Sequence, residues 1–249
     1  PMQVFNGRLS YATVTQSYQV EVTHREFAIG VQIQRKMWDD DLSGEIKMIF
    51  SDIGRVASIL RQENAIQPFD NAFVLDSEFY THEDALALCS NSHTTPVAGV
   101  DTSTGYDNLS TAKFSATALT ADCYTFRKFK DYNGEPLDER PDCIVVPPEL
   151  EAEAQVVVKT NFGLDTAGRD HNVHGGMFEV VSPVKLSSVN NWFVVNKGLM
   201  KQNQLWIDRK PFETNKMRVF DTYAYRGSGY QRFSYFRKGW WWILGHNAD

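Results

Sequence analysis

The amino-acid sequence predicts an α+β protein in which an N-terminal arm and a protruding β-hairpin are attached to a mixed body. Two runs of alternating residues precede a long amphipathic helix, short apolar strands recur between later helices, and ten of the last thirty residues are aromatic. The length of 249 residues suits one large domain or two small ones. With 42% hydrophobic residues and a net charge of −6, the chain has too much apolar content to be mainly disordered.

Composition argues against several classes of protein. The longest aromatic and apolar run, Trp240–Leu244, is far shorter than the roughly 20 apolar residues of a membrane helix, so no membrane partner is expected. Residues 1–19 lack the basic start and apolar stretch of a signal peptide. Cys89, Cys123 and Cys143 have no CxxC spacing, which fits neither a disulfide framework nor a zinc ribbon and indicates a reducing compartment.

The first elements are predicted from alternation. Residues 1–16 have scattered apolar positions without a lasting period, which is typical of a segment that is either frayed or packed as an arm on something else. Residues 18–22 and then residues 27–33 alternate apolar with polar side chains around a short polar turn, which predicts a β-hairpin. A two-stranded ribbon is marginal alone in water, so we expect its apolar face to lie on another copy of the chain. That face consists of Tyr18, Val20, Val22, Phe27, Ile29, Val31 and Ile33.

A long helix is predicted after this hairpin, at about residues 43–63. Apolar residues from Ile46 to Leu60 follow the i, i+3, i+4, i+7 stripe of an amphipathic helix, and Pro68 lies beyond its expected end. Asp41 or Ser43 can cap the first amides, and the acidic run Asp39–Asp41 favours the positive end of the helix. The same acidic run also has the chemistry of a hard-cation site, although capping is the commoner use of such acids before a helix.

The later elements are shorter. Residues 89–109 form a long polar loop, which marks function or mobility. The apolar run Cys143–Val146 predicts a buried strand, and Pro147 with Pro148 opens a helix. The other predicted elements are a helix that starts at residue 110 or 111 and ends at about 130, and short strands at residues 177–181 and 192–196.

Few residues have a spacing typical of catalysis or metal binding. His171 and His174 are the best candidate metal pair, yet the glycines around them favour a polar surface loop, and no third ligand follows at a suitable spacing. The sequence contains no nucleophile elbow, P-loop or GxGxxG motif. We therefore assign no catalytic residue, cofactor site or metal site.

Charge is unevenly distributed along the chain. Residues 131–153 contain eight acidic residues against one basic residue, whereas residues 220–249 contain four basic residues against two acidic ones. These segments are either two solvated faces or complementary patches that meet across copies of the chain. The net charge of −6 and the pI near 5.5 argue against a surface that grips nucleic acid through many phosphates.

Several motifs together resemble the major capsid proteins of tailed bacteriophages, most closely the major head subunits of Mu-like phages. In one group of motifs, a strand, a Glu-Phe pair, an Arg, an acidic run and a Gly at a helix start follow one another along the chain. Another leads from a turn through an apolar strand to a double proline and a helix. The segments that carry the resemblance are residues 17–20, 25–27, 33–36, 39–44, 131–137, 144–152, 180–183, 192–195, 226–230 and 239–240.

This resemblance implies an HK97-like capsid fold, in which an arm and an extended hairpin loop contact neighbouring subunits. The implied divisions are an N-terminal arm at 1–16, an extended hairpin loop at 17–38, a peripheral domain at 39–140 with a spine helix at about 43–63, an axial domain at 141–215, and a C-terminal return to the sheet at 216–249. The implied subunit-interface residues are Tyr18, Val20, Val22, Phe27, Ile29, Val31, Ile33, Arg35, Asp40 and Asp41.

The resemblance also implies a function. Copies of the chain would form hexamers and pentamers of an icosahedral shell that encloses double-stranded DNA without sequence-specific contact, in a virion assembled in the host bacterial cytoplasm. Expected partners are portal, scaffolding or maturation protease proteins and a decoration protein. Pro1 is consistent with loss of an initiator Met or with a maturation cleavage.

Two alternatives to a phage capsid remain open. One is an encapsulin-like protein compartment of the same fold. The other is a soluble α+β ligand-binding domain or enzyme that uses His171 and His174.

Overall fold

The computed structural model describes residues 18–76, 85–160 and 172–248, together with Gly7. Within them, an antiparallel sheet of order β1-β7-β6 and a mixed sheet of order β2-β8-β5-β3-β4 organise the chain. The predicted arm at 1–16 lies outside the described residues except for Gly7. The strands are β1 Arg25–Ile33, β2 Leu109–Ser110, β3 Cys143–Val145, β4 Glu179–Val181, β5 Trp192–Val195, β6 Gln204–Arg218, β7 Tyr225–Arg237 and β8 Ile243–His246. The helices are α1 Arg35–Asp39, α2 Glu45–Asp70, α3 Ala116–Arg127, α4 Glu151–Lys159 and α5 Lys197–Asn203, with a 3-10 turn at Pro148–Leu150.

The predicted pairing of residues 18–22 with residues 27–33 is wrong. Residues 18–24 form no strand, and β1 pairs antiparallel with β7 instead, from Arg25 opposite Phe233 to Ile33 opposite Tyr225. The long hairpin of this protein is β6–β7, joined by the turn at residues 219–224. Alternation predicts that a strand forms but not which strand it pairs with.

Helix α2 confirms the predicted helix and runs seven residues beyond residue 63, to Asp70. Pro68 lies inside its last turn rather than beyond its end. Pro68 has no N–H to donate to the carbonyl one turn earlier, yet the helix continues past it, and the Asn71 N–H donates to the Gln67 carbonyl at 2.9 Å. No helix among the described residues is long and apolar enough to cross a membrane.

Two glycines of β7 allow α2 to approach the three-stranded sheet. A Cβ at Gly227 would lie 2.3 Å from ring atoms of Phe50, and one at Gly229 would lie 2.7 Å from the Phe212 ring. Phe50 and Ile53 are buried in this contact, with 6% and 2% of their surfaces exposed. The helix and the sheet are therefore packed directly against each other through the gap that the glycines leave.

The five-stranded sheet forms the core of a compact body. Strands β3, β5 and β8 are completely buried, which confirms the strands predicted at residues 143–146 and 192–196. The predicted helix at 110–130 is shorter, because residues 109–110 form β2 beside β8 and the Ser115 hydroxyl caps α3 by accepting from the Ala118 N–H. The helix after the double proline is α4, and the strand expected at 177–181 is β4.

The polar segment at residues 89–109 is part of this core and not a separate loop. Asn108 is fully buried and donates to the carbonyls of Leu88 and Ile243, at 2.9 and 3.1 Å. Its side-chain oxygen lies 2.8 Å from the Ser90 N–H and 3.0 Å from His93 Nε2. One buried amide thus links the segment to the body, which explains how so polar a stretch holds a defined position.

Candidate assembly surface

The apolar face of β1, predicted to lie between subunits, contacts α2 and β7 of the same chain. Ile33 is 5% exposed and packs with Phe50 and Ile53, while Ile29 and Val31 line the same cluster. The Phe27 ring stacks on Phe233 with centroids 4.8 Å apart. The expectation that this face has no intramolecular cover is therefore wrong for the described residues, and an additional role between subunits stays a prediction.

The remaining predicted interface residues lie at two places. Tyr18 packs on the body, where its hydroxyl lies 2.8 Å from Thr94 Oγ1 and its ring meets the Tyr132 ring edge-on, and Val20 and Val22 follow it half-buried. Arg35, Asp40 and Asp41 lie between β1 and α2.

The acidic run before α2 serves the helix start. The Asp41 carboxylate accepts from the Gly44 N–H at 2.7 Å, and Arg35 pairs with Asp39 at 3.1 Å. Among the described residues, no group of three acidic, histidine or cysteine side chains is placed to hold a metal ion. These contacts form a turn ahead of α2 and an ion pair within α1. The N-cap residue of α2 is Gly44 and no side chain caps the helix, so the predicted cap from Asp41 or Ser43 is wrong.

The end of the β6–β7 hairpin carries exposed apolar side chains. Phe220 is 86% exposed in the turn, and Leu42 is fully exposed in the segment after α1. The two segments lie at the same end of the sheet, because the guanidinium groups of Arg35 and Arg218 lie over the Tyr223 ring at 5.7 and 5.0 Å. We call this region the distal surface; its exposed apolar residues are Met37, Leu42, Met217, Phe220 and Tyr223.

Sequence reasoning missed the distal surface. The strand β6 is polar and almost entirely exposed, so it shows little alternation, and Pro211 within it is tolerated because β6 is an edge strand. The available signal was the pair of exposed aromatic residues, Phe220 and Tyr223, on either side of the polar residues 221–222. Exposed apolar side chains gathered at one end of a sheet are typical of an interaction surface.

The second candidate site, around His174, has the properties of a packed structural site. His174 Nε2 lies 2.8 Å from Thr120 Oγ1, and burial lowers the pKa of this imidazole. A pocket of about 210 Å³ adjoins it, lined also by Cys123, whose thiol pKa is raised by burial. His171 lies outside the described residues, so the predicted metal pair is not seen as a pair. Burial thus favours the uncharged form of both side chains.

A buried His–Asp pair anchors the C-terminal strand. His246 of β8 is fully buried, and its Nε2 lies 2.8 Å from a carboxylate oxygen of Asp122 on α3. Its ring stacks on Trp192 with centroids 3.7 Å apart. Burial raises the pKa of Asp122, and the hydrogen bond from His246 opposes that rise. The pair is enclosed, so its role is to hold β8 against α3.

Most of the unevenly placed charges are used within the chain. Arg237 is 2% exposed and donates to the Leu86 carbonyl at 2.6 Å, and Arg226 donates to the Gln32 side chain at 2.7 Å. In the acidic segment, Asp138 pairs with Arg127 at 2.7 Å. These contacts favour internal pairing over patches reserved for a second copy.

Comparisons with known proteins agree with this architecture. A family model described as phage capsid protein matches residues 17–242. The structure of Mycobacterium phage Patience is similar with a TM-score of 0.62 and 8% identity, over 100% of this chain and 78% of that chain. The mature capsid of bacteriophage PhiM1 is similar with a TM-score of 0.54 and 11% identity, over 98% and 78% of the two chains. No curated protein sequence matches the chain.

A protein compartment has the same architecture. The holo-SrpI encapsulin complex of Synechococcus elongatus PCC 7942 is similar with a TM-score of 0.51 and 8% identity, over 90% of this chain and 74% of that chain. At such identities the likeness concerns the fold, and it confirms the predicted α+β, HK97-like fold. The closer resemblance to Mu-like head subunits stays a prediction.

Proposed function

Because this chain belongs to the phage capsid protein family, we propose that its copies close into hexamers and pentamers that tile an icosahedral shell around double-stranded DNA. Family membership makes it a structural major capsid protein, whose copies assemble into a capsid. When unlike patches of neighbouring copies contact each other and the rotations from copy to copy add up to a full turn, the copies form a closed ring. Hexamers and pentamers are rings of this kind.

The observation that carries the proposal is the distal surface. A narrow hairpin that ends in exposed apolar side chains is unfavourable in water at about 25 cal/mol for each Å² of apolar surface. The same side chains stabilise an assembly once a neighbouring copy covers them. Phe220 and Leu42, the most exposed of the group, are therefore proposed to contact other copies.

Further partners follow from the same proposal. The net charge of −6 suits a shell that encloses DNA without binding it tightly, because strong binding to phosphates would hinder packaging and release of the DNA. We place the protein in the virion, assembled in the host bacterial cytoplasm together with portal, scaffolding or maturation protease, and decoration proteins. The peripheral and axial domain boundaries predicted above belong to this proposal.

An encapsulin-like compartment is the second candidate, favoured by the likeness in fold to the encapsulin. The content of purified particles separates the two functions. Particles that protect double-stranded DNA from nuclease when assembled with the neighbouring phage proteins support the capsid, whereas particles that hold only protein support the compartment.

The assembly test compares three single variants by negative-stain electron microscopy and sedimentation. Phe220→Ser and Leu42→Ser change the distal surface, and Val184→Ser is the control, because Val184 is 85% exposed on the body. We expect shells or hexamer sheets from the parent and the control, and a large loss of assembly in the two distal variants. Normal shells from both distal variants would overturn the assigned surface, and uniform small particles from the parent under all conditions would overturn the capsid function.

A further inference from the structure

A groove of about 460 Å³ lies between α2 and the face of the three-stranded sheet on which α2 packs. The helix contributes Val56 and Leu60, and the sheet contributes Ile29 of β1, Gln231 of β7 and Phe212 of β6. The groove therefore extends from β1 beneath the central strand of the sheet. Val56 is 41% exposed, so the described part of the chain leaves the groove accessible from the helix side.

The size and lining of the groove are those of a small-molecule site. Such sites have volumes of about 300–1,000 Å³ and are mostly apolar, with a few polar groups that orient the ligand. The rings of Phe27 and Phe212 line this groove together with aliphatic side chains of α2. Aromatic rings pack favourably against another ring, offset or edge-on. The lining therefore favours a ligand with an aromatic ring.

The inner wall of the groove holds a buried polar group without a partner. Gln231 is 2% exposed and lines the groove, and its Oε1 accepts no hydrogen bond from the described residues. A buried amide oxygen without a donor is unfavourable, because it has lost its hydrogen bonds to water. A ligand that carries an N–H or O–H group would supply the missing donor.

The charges around the groove favour a neutral ligand. Glu26 and Glu63 line it, and their carboxylates repel an anion. Each of these carboxylates already has a basic partner, since Glu63 lies 2.6 Å from Lys185 Nζ and Glu26 lies 3.6 Å from Arg232 Nε. A cation would therefore lose its hydration among apolar side chains without gaining a free counter-charge.

We propose that this groove binds a neutral aromatic molecule with one hydrogen-bond donor, of the phenol or indole class. Its ring packs between α2 and the sheet, and its donor group donates to Gln231 Oε1. The proposal is independent of shell formation, so it is tested on the unassembled full chain.

Fluorine NMR titration tests the site with two probes of nearly the same size. The probe para-fluorophenol carries a hydroxyl donor, and para-fluorotoluene carries a methyl group in its place. An apolar groove without a polar partner binds the toluene more tightly, because the phenol hydroxyl loses its hydration on entry. We expect the opposite order in the parent chain, with the phenol bound at least about threefold more tightly, because its hydroxyl gains the hydrogen bond to Gln231.

Two substitutions, each with a matched control, locate the binding. Gln231→Leu removes the acceptor and should make the toluene the tighter ligand, whereas Gln32→Leu should change neither affinity, because Gln32 does not line the groove and its Oε1 accepts from Arg226. Val56→Trp fills the groove and should abolish binding of both probes. Ser58→Trp should leave binding unchanged, because Ser58 is exposed on the same helix and does not line the groove.

Several results would overturn the proposal. A parent chain that binds neither probe, or that prefers para-fluorotoluene, excludes the proposed class of ligand. A preference for the phenol that Gln231→Leu leaves unchanged excludes the hydrogen bond, and binding that survives Val56→Trp excludes the groove. Circular dichroism shows whether each variant is folded. If Gln231→Leu does not fold, the two probes on the parent and on the tryptophan variants still decide the outcome.

Discussion

Substitution of Gly227 by Ala tests whether the contact between α2 and the sheet depends on this glycine. The added Cβ would lie 2.3 Å from two ring carbons of Phe50 and 3.4 Å from Ile53. Carbon atoms in ordinary contact are about 3.5–4.0 Å apart, so the ring and the new methyl group overlap by more than about 1 Å. We therefore expect the helix and the strand to separate or Phe50 to leave its position.

The magnitude follows from how little room Phe50 has. The Trp38 ring lies edge-on to it at 5.6 Å, and the Lys216 ammonium lies 5.4 Å from the ring centroid. Overpacking of this kind costs about 1–3 kcal/mol, and the confined ring places the expected cost at about 2–3 kcal/mol. For a chain of this size that loss lowers the melting temperature by roughly 4–12 °C.

The assay is urea and thermal unfolding of the unassembled chain, followed by circular dichroism and tryptophan fluorescence. Gly30→Ala is the matched control, because the nearest atom to a Cβ there is 4.0 Å away, on the neighbouring strand. The control should be neutral or slightly stabilising. Equal stability of Gly227→Ala and the parent would refute the close packing, and Phe50→Leu should recover part of the loss when it is combined with Gly227→Ala.

Three other predictions concern the buried contacts. Ile33→Asp should lower the free energy of unfolding of the unassembled chain, measured in urea, by at least about 3 kcal/mol, because it places a charge against Phe50. Stability equal to the parent would restore the view that Ile33 acts only between copies. Asn108→Ala should lower the free energy of unfolding by about 2–4 kcal/mol, because it removes a buried amide that makes several hydrogen bonds. Asn91→Ala is the control, since Asn91 is exposed, and it should change the same free energy by less than about 0.5 kcal/mol. Similar effects of the two substitutions would contradict the anchoring role of Asn108. Burial lowers the pKa of His174 below its ordinary 6.5, so the unfolded chain binds the proton more readily and stability falls as the pH drops below about 6.5. His174→Gln should flatten that part of a melting-temperature profile against pH, and an unchanged profile would remove His174 as the cause.

Local patterns were enough to predict much of the fold. The stripe of α2, the apolar runs of β3 and β5, and the double proline before α4 each report the environment of a few consecutive residues. The ends of elements were less predictable. Pro68 falls within α2. Leu109 and Ser110 pair with β8, although residue 109 was assigned to a loop and a helix was expected to start at residue 110 or 111.

The candidate sites were predicted less well, because they depend on which segments meet. The β1 face has the alternation of an interface, but α2 and β7 cover it. The distal surface was missed, because most side chains of the edge strand β6 are exposed and therefore show little alternation. His174 was identified from its spacing to His171, whereas the contact it makes is with Thr120 on α3.

Local periodicity and short motifs were enough to predict the α+β class, the positions of the main helices and buried strands, and the resemblance to capsid proteins. The pairing of β1 with β7, the room that Gly227 leaves for Phe50, and the hydrogen bond that ties Asn108 to β8 were seen first in the folded structure. Those contacts join residues far apart in the chain. Their choice depends on shape and on hydrogen-bond geometry across the whole fold, which no local pattern contains.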